Sequence, residues 1–147
     1  MIVTFVGHAD FRRPEELERK LLFLLEEAVG DRPCEMYLGD HGNFDRFAYA
    51  CCKKYKDTHA NVSLIFITPY QTPEYLKDRT SKYDAIVYPE IEGKPLRFAI
   101  TYRNQWMIQR ADLVICYVER DWGGAYKGYR YAQKRGAWIL NLSDKTV

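Results

Sequence analysis

Residues 113–142, LVICYVERDWGGAYKGYRYAQKRGAWILNL, decide the fold. The run LVICYV at 113–118 is apolar throughout, as a strand buried on both faces must be. Two adjacent glycines, Gly123 and Gly124, follow a short polar turn. GAYKGYRYAQKRG then reads as a helix, and WILNL at 138–142 as the next strand. A strand, a glycine turn, a helix and a second strand form the unit of a parallel α/β sheet.

The same alternation extends outward. IVTFVG at 2–7 is a continuous apolar run closed by Gly7. RPEELERKLLFLLEEAVG predicts a helix, with Pro14 in its first turn, Glu15 and Glu16 complementing the dipole and Gly30 ending it. Leu17, Leu21, Leu24 and Ala28 form its expected buried stripe. CEMYLG at 34–39 predicts a second strand, RFAYACCKKYK a helix, and VSLIFIT at 62–68 a third strand. On that second helix, Phe44, Phe47, Ala48, Cys51 and Tyr55 share a face. Prolines and charges break the pattern over 70–95, where DAIVYP is the one strand-like island; this reads as an irregular surface excursion. FAITYRNQWMIQRAD restores helical order, with Ala99, Tyr102 and Trp106 on one face. The expected architecture is α/β: a single Rossmann-like domain over 1–147, a mostly parallel sheet with helices on both faces.

The 147 residues suffice for one buried core. A net charge of +2 announces neither nucleic acid nor membrane, so neither is expected as a partner. No apolar run is long enough to span a bilayer, and the N-terminus lacks a signal-peptide pattern, which points to the cytoplasm. Cys34, Cys51, Cys52 and Cys116 form no CxxC pair and read as buried reduced thiols. His8, His41 and His59 have no metal-ligand spacing, so neither metal nor cofactor is expected.

In an open α/β sheet, ligands bind beyond the carboxyl ends of the strands. Three loops leave that edge: GHADFRRP, GDHGNFD and ERDWGGAYKG. Gly7, Gly39, Gly42, Gly123 and Gly124 permit close backbone approach, and each loop feeds a helix N-terminus with unpaired N–H groups. Neither GxxxxGK[ST] nor a GxGxxG after the first strand is present, which disfavours a P-loop NTPase and a dinucleotide oxidoreductase. Lys127, Arg130 and Lys134 fall on one helical face. A cation near a helix N-terminus loses roughly 0.3–1 kcal/mol against the dipole unless an anion intervenes. Arg103 and Arg110, with Arg12 and Arg13, add positive charge; Tyr117, Trp122 and Tyr126 surround the same turn and offer stacking faces or packing surface.

These stretches resemble the SLOG superfamily, the Rossmann-like group that includes LOG phosphoribohydrolases and DprA/Smf proteins. The similarity is greatest to small standalone members, with a GH-DF first loop, a GG-GGFD second loop, an RNRWM helix and an SWGGAAKTLEYA third loop. The corresponding stretches here are GHADF, GDHGNFD, YRNQWM and DWGGAYKGYRYA, and the likeness spans residues 3–142. The resemblance implies a nucleotide-derived small molecule at the glycine loops, and self-association into a dimer or larger homo-oligomer. Gly123 and Gly124 match the paired glycines of the LOG motif PGGxGTxxE, and Arg103 the arginine of its RKxxM element. Trp122, Tyr126, Lys127 and Arg130 replace that motif's proline, third glycine, threonine and catalytic glutamate.

The last replacement has chemical meaning. Glycosidic cleavage develops positive charge at the ribose, which a carboxylate stabilises and an arginine repels. An arginine there suits a phosphate or pyrophosphate instead. The expectation is therefore a sensor or sequestering protein for a nucleotide, such as a cyclic ADP-ribose-like immune signal. The alternative is a LOG-like phosphoribohydrolase cleaving the N-glycosidic bond, its carboxylate supplied by Asp121, Glu119 or Asp45. The expected ligand-binding residues are Gly7, His8, Arg12, Gly39, Gly42, Asp45, Arg103, Trp122, Gly123, Gly124, Lys127 and Arg130.

Overall fold

The computed structural model describes residues 1–145. Six strands form one parallel sheet: β1 (Ile2–Gly7), β2 (Cys34–Leu38), β3 (Val62–Ile67), β4 (Ala85–Val87), β5 (Leu113–Tyr117) and β6 (Ile139–Asn141). Their spatial order is β4-β3-β2-β1-β5-β6. The chain builds outward from β1 through β4, then returns to lay β5 on the other side of β1. This reversal makes the β1/β5 junction the switch point of the sheet, where the crossovers leave toward opposite faces and a crevice opens.

Period-2 alternation divides the strand side chains between two faces. Val3, Phe5, Met36, Leu38, Leu64, Leu113 and Ile115 pack under α1 (Leu17–Ala28) and α2 (Asn43–Asp57). Val6, Val114 and Cys116 meet α4 (Ala99–Arg110) and α5 (Gly124–Lys134) on the opposite face. The sheet is thus an α/β Rossmann-like sheet covered on both sides. All four cysteines are free and buried, and burial pushes the Cys51 and Cys116 thiols up to about 12, which leaves them unreactive.

Several element details depart from the sequence pattern. Helix α1 starts at Leu17, three residues beyond Pro14, because Glu16 takes a left-handed conformation at φ 65° and turns the chain into the helix. Its buried stripe runs Leu17, Leu21, Leu25 and Ala28, so Leu25 replaces Leu24. On α4 the buried positions are Ala99, Arg103, Met107 and Ile108, while Tyr102 and Trp106 are half-buried; Trp106 stacks on Tyr37 at 5.7 Å. Within 70–95 lie a single helical turn, α3 (Pro73–Leu76), and the edge strand β4. No helix among the described residues is long and apolar enough to cross a membrane.

Candidate functional site

Parallel strands put all their carboxyl ends on one edge, so the loops after β1, β2 and β5 gather there. Close packing then locks them together. A Cβ on Gly7 would lie 2.1 Å from Phe44 Cγ, so only glycine lets the start of α2 close on the end of β1. Gly42, at φ 108°, caps α2, and a Cβ there would approach Ala9 Cα to 2.5 Å. The Asn43 amide donates to Ala9 O at 2.9 Å, joining the first loop to the second. The first loop is joined to the third by the Glu119 amide, which donates to His8 Nε2 at 3.1 Å. An imidazole that accepts at Nε2 carries its proton on Nδ1. His8 is buried, and that burial, with Arg120 nearby, holds its pKa below the ordinary value.

A cleft of about 350 Å³ opens at this edge, between β1, the loop before α2, and the first turns of α4 and α5. Arg97, Arg103, Arg120 and Lys127 line it; Asp45 is the one carboxylate that does so among the described residues. Arg103 is fully buried, donating from Nη1 to Ile67 O at 2.8 Å and from Nε to Asn104 Oδ1 at 2.9 Å. Burial lowers its pKa and Asp45 opposes that shift; a guanidinium stays charged regardless. Asp45 Oδ2 accepts the His41 amide at 2.8 Å. Burial pushes the Asp45 carboxyl up, against the pull of Arg103 and the His41 amide. Arg103 and Asp45 share the space beside Gly39, where a Cβ would lie 2.9 Å from Arg103 Cζ and 3.0 Å from Asp45 Oδ2.

Arg120 forms the lip of the cleft. It makes a two-pronged ion pair with Asp10, both contacts at 3.0 Å, and lies 3.9 Å above the Trp122 ring. Its Nε is buried with no hydrogen-bond partner among the described residues. The hydrogen bond from Arg120 holds the Asp10 carboxyl below its usual value.

Of the residues expected from sequence, Gly7, His8, Asp45, Arg103, Gly124 and Lys127 line this cleft. Gly39 and Gly42 act behind it, by admitting the side chains and loop that do. Gly123, at φ 91°, caps α5. Trp122 is 60% exposed on the outer side of Arg120. Arg12 is exposed and outside the lining. Arg130 lies outside the lining: it is exposed and donates to Gln133 Oε1 at 2.7 Å. With Gly124, Lys127 and Gly128 on the cleft face of α5, position 130 rotates away from it. Tyr117 offers no stacking face either, since it is buried against Phe11 at a ring distance of 5.0 Å.

Sequence reasoning missed Arg120, Arg97 and the Thr101, Asn104 and Gln105 group on α4. For α4 a signal existed: Thr101, Asn104 and Gln105 are polar residues at i, i+3 and i+4, a polar stripe beside the sheet edge. No group of three or more histidine, cysteine, aspartate or glutamate residues among the described ones is placed to hold a metal ion.

Two solved structures share this architecture. DNA processing protein A from Helicobacter pylori, described for its single-stranded DNA binding mode, superposes with a TM-score of 0.61 at 17% identity. DNA processing protein A (DprA) from Streptococcus pneumoniae does so with a TM-score of 0.55 at 11% identity. The matches cover 95% and 96% of this chain but 63% and 58% of those proteins. No protein-family model matches the chain, and no curated protein matches it. The fold is thus the Rossmann-like fold of DNA processing protein A. One expectation falls with this finding: the small net charge is no ground for excluding nucleic acid, because a protein of this fold binds single-stranded DNA. Local charge matters more than the total, and here four cationic side chains line one cleft.

Proposed function

We propose that the cleft binds a nucleotide-type ligand through its phosphate. One observation carries this reading: Arg97, Arg103, Arg120 and Lys127 line a single crevice at the switch point of the sheet, where Asp45 is the one lining carboxylate among the described residues and Asp10 pairs with Arg120 at the lip. The start of α5 borders the same space, adding the partial positive charge of a helix N-terminus. The phosphate sits toward Lys127 and Arg120 rather than the floor. Two like unit charges 4 Å apart repel by about 4 kcal/mol at an effective dielectric near 20, so a carboxylate at the floor disfavours an anion beside it.

A longer ligand is the second reading. Trp122 stands exposed beside Arg120 at the rim, an arrangement on which an unpaired base stacks, and the likeness to a single-stranded DNA-binding protein agrees with it. Calorimetry with AMP and with a short oligothymidylate compares the two. We expect Lys127→Ala and Arg120→Ala each to weaken AMP binding by about 1–2 kcal/mol. Arg130→Ala should leave it unchanged. Unaltered affinity in both cleft variants would overturn the phosphate assignment. Tight oligothymidylate binding lost in Trp122→Ala would favour the longer ligand. Free adenine accumulating from AMP would favour the hydrolase.

A further inference from the structure

The floor of the cleft differs chemically from its mouth. Asp45 Oδ2 is taken by the His41 amide, while Oδ1 has no hydrogen-bond partner among the described residues. Beside it, across Gly39, lies the buried Arg103 guanidinium, whose Nη2 donates to no protein group among the described residues. His8, also buried, has its Nε2 occupied by the Glu119 amide, and its Nδ1–H has no hydrogen-bond partner among the described residues, on a side chain that lines the same cleft. Open acceptor and donor capacity thus coexist within a few side chains. A phosphate has use only for the donors. A hydroxyl-bearing group uses both, because each hydroxyl donates one hydrogen and accepts others.

From this we infer that Asp45 is the specificity-determining residue of the cleft, reading the ribose hydroxyls of a ribonucleotide whose phosphate lies at the mouth. The inference rests on the phosphate reading above and adds the ligand's orientation and sugar. Asp45 Oδ1 accepts from a ribose hydroxyl, and the hydroxyl oxygens accept from Arg103 Nη2 or His8 Nδ1–H. A sugar lacking hydroxyls, seated in the cleft, would cover these groups without pairing them, which is the strong form of discrimination. Gly39 is required because any side chain there would separate Arg103 from Asp45.

Calorimetry on the wild-type protein with AMP, 2′,3′-dideoxy-AMP and inorganic phosphate tests this directly. AMP should bind at least about tenfold more tightly than the dideoxy compound. In Asp45→Asn, whose amide oxygen can still accept from His41, the preference should fall below about threefold while inorganic phosphate binds as before or better. Equal affinity of the wild type for AMP and dideoxy-AMP overturns the inference while leaving the phosphate reading intact. So does a ribose preference that persists in the variant. If inorganic phosphate and both nucleotides all fail to bind the wild type, the phosphate reading falls and this inference with it.

Discussion

His8 shows what the structure asks of single residues. Its ring joins two loops only while Nε2 is unprotonated, because a protonated Nε2 cannot accept the Glu119 amide. Burial and Arg120 depress its pKa below 6.5, so as pH falls the unfolded chain takes up the proton before the folded one. Stability from this group is complete above about pH 6.5 and declines as pH drops toward the lowered folded value. Denaturant melts across this window should show the decline in the wild type. His8→Gln, which stays neutral, should flatten that part of the profile; the same slope in both proteins would refute the role. Arg103 makes the opposite point. Its charge is buried near Asp45, which favours the charged form, while its hydrogen bonds go to Ile67 O and Asn104 Oδ1, so removing it would leave those acceptors without their donor.

At the scale of elements, the glycines at helix starts do two different jobs. Gly42 caps α2 at φ 108° with Ala9 in the way of any side chain, so Gly42→Ala should destabilise the fold by about 2–4 kcal/mol. Gly124 opens α5 without positive φ, and a methyl group added there would meet no atom within 4 Å. Gly124→Ala should therefore leave the melting temperature unchanged or slightly higher, since alanine is the better helix former. Its methyl would enter the cleft, so AMP affinity should fall. Paired thermal melts and calorimetry separate the two roles, and a large loss of stability in Gly124→Ala would contradict this division.

For the molecule as a whole, order of burial predicts order of opening. Strands β1 and β5 lie in the interior of the sheet and are almost entirely buried, whereas β4 is a three-residue edge strand whose residues are half-buried or exposed. Hydrogen exchange should be slowest in β1, β2 and β5 and fastest over 70–95, because local opening follows local burial. Early exchange in β1 would show that the sheet does not open from its edge. The cleft lies against β1 and the loop after β5, so part of its lining rests on the most deeply buried strands of the sheet.

Local sequence determined the strands and helices, because burial on both faces demands continuous apolar runs and burial on one face demands a helical period. It also marked the three glycine junctions, where close packing at Gly7 and Gly42 and positive φ at Gly42 and Gly123 disfavour side chains. Thus the runs at 2–7, 62–67 and 113–117 were legible, as were Gly7 and Gly124 at the edge where the cleft opens. The azimuth of each helix was not. Lys127 and Arg130 look equivalent in sequence, yet α5 packs on β1 through Gly128, where a Cβ would lie 3.1 Å from Val6 Cγ1, and this puts the exposed Lys127 at the cleft and Arg130 away from it. Arg120 belongs to a loop with no period to betray it, and its place comes from Asp10 and Trp122. Only tertiary packing decides which charges share a cleft, because charge placement depends on how elements rotate against the sheet, while the pattern within each element records only which face is buried.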